Sequence, residues 1–312
     1  MTRVDFVFFD AGGGHRSAAT ALKSVIETQK RPWDVRLVNL QEVLRPLDLF
    51  EKVTGLKLED VYNRMLAKGW TLGLAQALVG LHGLIRLYHR PMARLIAEHW
   101  RATRPDLVVS VVPNFNREMY AGLRAALPAV PYVTVLTDMA DYPPHFWIER
   151  QEQDLVCGTE RAVEQARALG HSPERIFRTS GMIIRPRFYE PREVDRSAER
   201  QRLGLSPSAP LGLVLFGGQG APVMRDIARR LPDTPLILIC GRNDALARRL
   251  RSERSRAPRV VLGFTEDVPF YMRLADFFIG KPGPGSISEA VAMGLPVIVE
   301  RNARTIPQER YN

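Results

Sequence analysis

The chain has 312 residues, 45% of them hydrophobic, enough for two domains with substantial cores at the usual scale of about 150 residues each. Its 44 Lys+Arg against 34 Asp+Glu give a net charge of +10, a balance that suits nucleic acid, an anionic membrane surface or a phosphorylated ligand. The only cysteines, Cys157 and Cys240, sit in apolar strand-like runs without a CxxC partner, which excludes a disulfide framework and reads as free structural thiols in a reducing compartment.

The start "MTRVDFVFFDAGGG" is not a signal peptide, because its apolar run is short and ends in a strand-to-glycine turn. "VDFVFF" (4–9) reads as a strand. Gly12, Gly13 and Gly14 then end it and open a helix whose apolar face carries Ala18, Leu22, Val25 and Ile26. Backbone N–H groups and the helix dipole at such a turn favour an anion or a close ligand approach, which a Cβ would block. No G-K-[ST] follows, so the turn is not a Walker A loop. His15, at its end, is a candidate base or hydrogen-bond donor.

"DVRLVNL" (34–40) is a second strand, followed by a helical stretch reaching about Trp100. Within it, "GWTLGLAQALVGLHGLI" (69–85) carries no formal charge and is flanked by Lys68, Arg86, His89 and Arg90. It is shorter than the ~20 apolar residues of a membrane span and contains Gln76 and His82, so it reads as a buried helix or an amphipathic surface dipping into a membrane interface. Runs 106–112, 132–137, 154–158 and 176–181 read as strands, with a helix over 160–169. Charge and proline then thicken, and residues 185–192 are taken as a linker between a domain over 1–184 and a domain over 193–312, with a short helix after it.

The second half alternates cleanly, with strands at 211–216, 236–240, 260–263, 276–280 and 296–300 separated by helical segments. Such alternation predicts parallel sheets covered by helices, hence an α/β chain of two Rossmann-like domains facing a cleft. Glycine turns recur after its strands: "LFGGQGAP" (215–222) and "GKPGPGSISEA" (280–290), the latter opening a helix near Ser286. Ser286 and Glu289 fit a capping box. Alternatively the Glu289 carboxylate accepts from a ribose diol while the turn amides hold phosphate.

Taken in order, "GGGHRSAA", "TDMADYPPHFWI", "GGQGAP", "CGRN", "KPGPGSISEAVAMGLPVIV" and "PQERYN" resemble the monogalactosyldiacylglycerol synthase and processive diacylglycerol glucosyltransferase family, related to the N-acetylglucosaminyltransferase that makes peptidoglycan lipid II. The resemblance covers nearly the whole chain. It implies a GT-B fold and an inverting transfer of a hexose from UDP-glucose or UDP-galactose to a membrane lipid hydroxyl, that of 1,2-diacylglycerol. By position it implies a diphosphate-side turn at Gly217, Gly218 and Gly220, and uracil-pocket walls at Arg242 and Phe264. It implies phosphate and ribose contacts at Gly283, Gly285, Ser286 and Glu289, and sugar contacts at Gln308 and Glu309. Where plant-type members have a histidine before the proline of "VSVVPNFN", this chain has Val112. The closing C-terminal helix usual in this fold is expected to be missing.

A single inverting displacement needs a base, for which His15 and then Asp138 are the candidates, and positive charge or N–H dipoles for departing UDP. Asp138 and Asp141 are spaced D-x-x-D, not Asp-X-Asp, so no metal and no other cofactor is expected. A diacylglycerol acceptor stays in the bilayer. Lys68, Trp70, Leu84, Arg86, Leu87, Tyr88 and Arg90 are therefore expected to dock the protein on anionic lipid at the inner face of the cell membrane. No helix-turn-helix, zinc or RNA-binding signature accompanies the charge, so nucleic acid is not an expected partner. The alternatives kept are a UDP-N-acetylglucosamine-dependent transferase on another lipid and a UDP-sugar 2-epimerase.

Overall fold

The computed structural model describes residues 1–10, 14–47, 83, 85–302 and 305–312. Gly12, Gly13, Lys68, Trp70 and Leu84 lie outside them. The chain divides into two compact units. The first comprises described residues up to Arg185 together with Ile306–Asn312, and the second runs over Pro186–Thr305.

Six parallel strands form the sheet of the first unit: β1 (Thr2–Phe8), β2 (Trp33–Asn39), β3 (Leu107–Ser110), β4 (Tyr132–Val135), β5 (Asp154–Cys157) and β6 (Ile176–Arg178), in the order β2-β1-β3-β4-β5-β6. Strand periodicity sorts its side chains between two cores. Val4, Phe6 and Phe8 pack on one face with Ala19 of helix α1 (Gly14–Thr28). Val7, Val108 and Val112 pack on the other with Leu40 of α2 (Leu40–Leu44), Ile96 and Trp100 of α3 (His89–Thr103), and Met119 and Leu123 of α4 (Asn116–Ala126). Val112, the residue before Pro113, is fully buried in this second core. Helix α5 (Glu160–Ala168) starts at Thr159, whose hydroxyl accepts from Ala162 N.

The second unit holds β7 (Gly212–Leu215), β8 (Leu236–Ile239), β9 (Arg259–Leu262), β10 (Phe277–Gly280) and β11 (Val297–Val299), all parallel, in the order β11-β10-β7-β8-β9. One face is covered by α7 (Val223–Arg230) and α8 (Asp244–Ser252), through Met224, Ala228, Leu246, Ala247 and Leu250. Helices α6 (Arg196–Arg202), α9 (Val268–Leu274) and α10 (Pro284–Ala292) complete the unit. The order starts at β7 and leaves in both directions, so β7 and β10 flank a topological switch point.

Cys157 and Cys240 are both free and buried. Burial pushes the Cys157 thiol up to about 12 and the Cys240 thiol up to about 11.

One buried cation ties α6 to the sheet. Arg200, 4% exposed, donates through Nε to the Leu274 carbonyl (2.9 Å) and through Nη2 to Asp276 (2.8 Å), whose Oδ2 also accepts from Leu211 N (2.8 Å). Removing the buried guanidinium takes charge-assisted bonds from the Leu274 carbonyl and the Asp276 carboxylate, so Arg200→Met is expected to destabilise the second unit by about 2–3 kcal/mol in denaturant titration.

Candidate functional site

In the first unit the helix after the glycine turn begins at Gly14, a position where an added Cβ would meet nothing within 4 Å. Arg16 in its first turn pairs with Asp10, its guanidinium 4.6 Å from the Phe8 ring centroid, so the start of α1 is tied to the end of β1. His15 Nδ1 lies 3.2 Å from Thr137 Oγ1, and its ring centroid is 5.9 Å from that of Trp147. Burial lowers the His15 pKa to about 4, against the opposing effect of a hydrogen bond to the Val111 backbone. The ring is therefore neutral at physiological pH and keeps one lone pair.

Asp138, 8% exposed, accepts from Trp147 Nε1 at 2.9 Å. Trp147 thus touches on both candidate bases, its ring tilted at 53° to that of His15 and its Nε1 bonded to Asp138. Its position is fixed by Asp141, read from sequence only as half of a D-x-x-D spacing, and by Asn116, which had no expected role. Asp141 turns inward: Oδ1 accepts from Trp147 N (2.6 Å) and Oδ2 from His145 N (3.0 Å), while burial raises its pKa against those backbone bonds. Asn116 Nδ2 donates to the carbonyls of Val112 (3.0 Å) and Trp147 (3.1 Å), and its Oδ1 accepts from the Tyr132 hydroxyl (2.7 Å). The quoted run "TDMADYPPHFWI" held most of these residues. Asn116 was invisible because nothing in the spacing of "PNFN" says that its side chain turns inward.

In the second unit, the turn after β7 and the turn after β10 meet at the switch point, since a Cβ on Gly217 would lie 3.6 Å from Lys281 Cε. Gly217 and Gly220 have φ of +71° and +59°, conformations that call for glycine. Gly218 and Gly285 face open space, with nothing within 4 Å of an added Cβ. Gly241, not among the expected site residues, has φ +59°, and its Cβ would come within 2.3 Å of the Gly218 carbonyl oxygen. Arg242 N donates to that same oxygen (2.9 Å). The Arg242 guanidinium stands 5.1 Å from the ring centroid of Phe264, which is 57% exposed, so cation and ring form an open wall beside the turn.

The capping box expected at Ser286 and Glu289 is not formed. Helix α10 starts two residues earlier, at Pro284, with Gly283 as N-cap and no side-chain cap bond. Proline at the first helical position, with its fixed φ, sets that start. Ser286 thus lies in the first turn and Glu289, half-buried, in the second. Gln308 and Glu309 group with the first unit, in Ile306–Asn312, and not with the glycine turns. Glu309 is buried, and Gln308 Oε1 is buried without a hydrogen-bond partner.

Of the residues expected at a membrane, Arg86, Leu87 and Arg90 are exposed, Leu87 at 77%, while Tyr88 is half-buried at the start of α3. Among the described residues no helix is long and apolar enough to cross a membrane.

Comparison with known proteins bears on both units. Residues 15–184 match the family model for monogalactosyldiacylglycerol (MGDG) synthase, and residues 213–306 match that for the glycosyltransferase family 28 C-terminal domain. A protein of Oryza sativa subsp. japonica, named probable monogalactosyldiacylglycerol synthase 2, chloroplastic, is 28% identical over 93% of this chain and 64% of its own length. The chain spans less than two thirds of the length of the curated relatives it matches first. Among solved structures, Acinetobacter baumannii MurG aligns with all of this chain and 81% of its own at TM-score 0.59 and 12% identity. S. aureus MnaA, solved with UDP, aligns with 97% of this chain and 80% of its own at TM-score 0.55 and 15% identity. These likenesses establish the fold, two parallel-sheet α/β domains of GT-B type.

Two outcomes follow from the geometry. His15 should titrate near pH 4 by NMR. Because its folded pKa is depressed, folding stability should fall as pH drops from about 6.5 toward 4. His15→Asn should remove that slope. Gly241→Ala should destabilise the second unit by more than about 2 kcal/mol, since backbone must move. Gly218→Ala should fold like the parent, which thermal denaturation of the two variants will show.

Proposed function

The chain belongs to the monogalactosyldiacylglycerol synthase family, and from that premise we propose that it transfers a hexose from UDP-glucose or UDP-galactose to the free hydroxyl of 1,2-diacylglycerol in a membrane, with inversion at the anomeric carbon and without a metal. The observation that carries the reading is the pairing of two glycine turns, open at Gly218 and Gly285, at the switch point of the second sheet. Amides there, the α10 N-terminus and Lys281 suit the diphosphate of UDP and the charge that grows on it as the sugar leaves. The Arg242–Phe264 wall suits a uracil ring, and Glu289 the ribose diol. The co-structure of MnaA with UDP shows that a protein of this fold takes this nucleotide.

In the first unit the acceptor hydroxyl binds at His15. The acceptor oxygen attacks the anomeric carbon, the carbon–oxygen bond to UDP breaks, and the hydroxyl proton passes to the neutral imidazole. With its pKa near 4, His15 orients the hydroxyl and accepts its proton late, as acidity develops on the attacking oxygen. Asp138, held by Trp147, is the second candidate for that proton. The exposed Arg86, Leu87 and Arg90 bring the first unit onto anionic lipid on the inner face of the cell membrane, where the acceptor resides.

The protein is to be incubated with diacylglycerol liposomes, chelator and one of UDP-glucose, UDP-galactose or UDP-N-acetylglucosamine, with products read by mass spectrometry. A hexosyl-diacylglycerol is the expected product. Release of an epimerised nucleotide sugar without glycolipid would replace the reading by that of a 2-epimerase. His15→Ala should lower turnover about 10²–10³-fold while leaving UDP affinity within about twofold. Equal loss of both would make His15 structural.

A further inference from the structure

Residues 225–259 contain ten arginines, no lysine and four acidic residues, a net +6 out of the chain's +10. They comprise α7, β8, α8 and the start of β9. Helices α7 and α8 lie on one face of the sheet, with Met224 and Ala228 of the first and Leu246, Ala247 and Leu250 of the second in one core. Burying those positions turns Arg230, Arg248 and Arg249 outward. Glu253, just past α8, accepts from Arg225 (2.7 Å) in the first turn of α7 and from Arg229 (3.2 Å) in its last, which ties the end of α8 against the length of α7. Arg254 follows directly and is exposed.

Several arginines of this region have internal duties. Arg256 pairs with Asp233 (2.7 Å), and Arg251 donates to the Val261 carbonyl (2.9 Å). Arg230, Arg248, Arg249 and Arg254 do not: among the described residues none of the four forms an ion pair. One cation in each last turn would satisfy the helix dipoles. The surplus is larger than that. Nor does it serve a nucleotide. In parallel α/β units helices run back against the strands, so the C-terminal ends of α7 and α8 lie at the edge of the sheet opposite the glycine turns.

We propose that this arginine face docks the second unit on an anionic lipid surface. Guanidinium groups bind phosphodiester oxygens in pairs, and each cation close to an anionic leaflet raises membrane partition by roughly fivefold at physiological salt. The chemistry matches an extended field of phosphates with no single charged pocket. The stretch 225–259 has no aromatic residue, so it lacks the stacking platforms that single-stranded nucleic acid uses. This surface is separate from Arg86–Arg90 of the first unit and does not depend on the sugar-transfer reading.

The test is co-sedimentation of the full chain with phosphatidylglycerol-containing vesicles and with pure phosphatidylcholine vesicles. Neither contains diacylglycerol, so failure of the transferase reading leaves the result interpretable. R230Q/R248Q/R249Q/R254Q should bind the anionic vesicles at least tenfold more weakly than the parent, with a shallower salt dependence. The fourfold Arg→Lys variant should stay within about threefold of the parent. Far-UV circular dichroism checks folding. If the fourfold glutamine variant is unfolded, R230Q/R254Q and R248Q/R249Q are read separately, each losing at least threefold. Parent-like vesicle binding by the folded glutamine variants would overturn the proposal, as would a loss confined to RNA or DNA binding in a gel shift.

Discussion

The parallel pairing of β7 with both β8 and β10 decides what the second unit can hold. A parallel strand hands the chain on only at its carboxyl end, so the turns after β7, β8 and β10 must share one edge of the sheet. There they compete for space, and glycine is the outcome. The Gly218 carbonyl lies so close to Gly241 that only hydrogen fits between, and the same carbonyl takes the Arg242 amide. With that backbone contact made, Gly218 and Gly285 are left facing open space, with their amides available to a ligand. The open edge thus follows from strand order, and the Arg242–Phe264 pair stands beside it.

The first unit reaches its geometry by a different route. Its candidate groups are held by a buried polar network instead of by glycine. Asn116 joins the end of β3, β4 and the loop carrying Trp147, while Gln153 Nε2 adds a bond to Thr134 (3.1 Å). Inside a low-dielectric core such bonds strengthen one another, and an unmet partner is costly. The network therefore specifies one placement of the indole, and through it the surroundings of both His15 and Asp138. A core of aliphatic side chains would bury as much surface without fixing the direction in which Trp147 Nε1 points.

Much of this was legible in the sequence, and the rest was not for identifiable reasons. The strands were readable because apolar runs such as "LILIC" and "DLVVSVV" are short, bounded by turn residues and separated by helical spacing. The glycine turns were readable because three of them follow strands. What failed was anything set by contacts distant in the chain. Gly241 was given no role of its own within "CGRN", although its place after β8 sets it against Gly218. Asp141 entered only as half of a D-x-x-D spacing and Asn116 had no role, yet both are buried and bonded to the loop at Trp147. The pattern Ser286-x-x-Glu289 satisfied a local capping rule that Pro284 pre-empted by starting α10 earlier. Local rules therefore gave the elements, and non-local packing gave the parts that touch chemistry.

The two buried cysteines have a practical consequence. With both thiols burdened by the cost of ionising in an apolar core, almost no thiolate exists near neutral pH to react with a maleimide or an iodoacetamide. For spectroscopy the native chain behaves as though it had no cysteine at all. A single cysteine introduced on an exposed arginine position of the second unit, or beside Leu87 in the first, would take a fluorophore or spin label alone, with the wild-type cores left untouched.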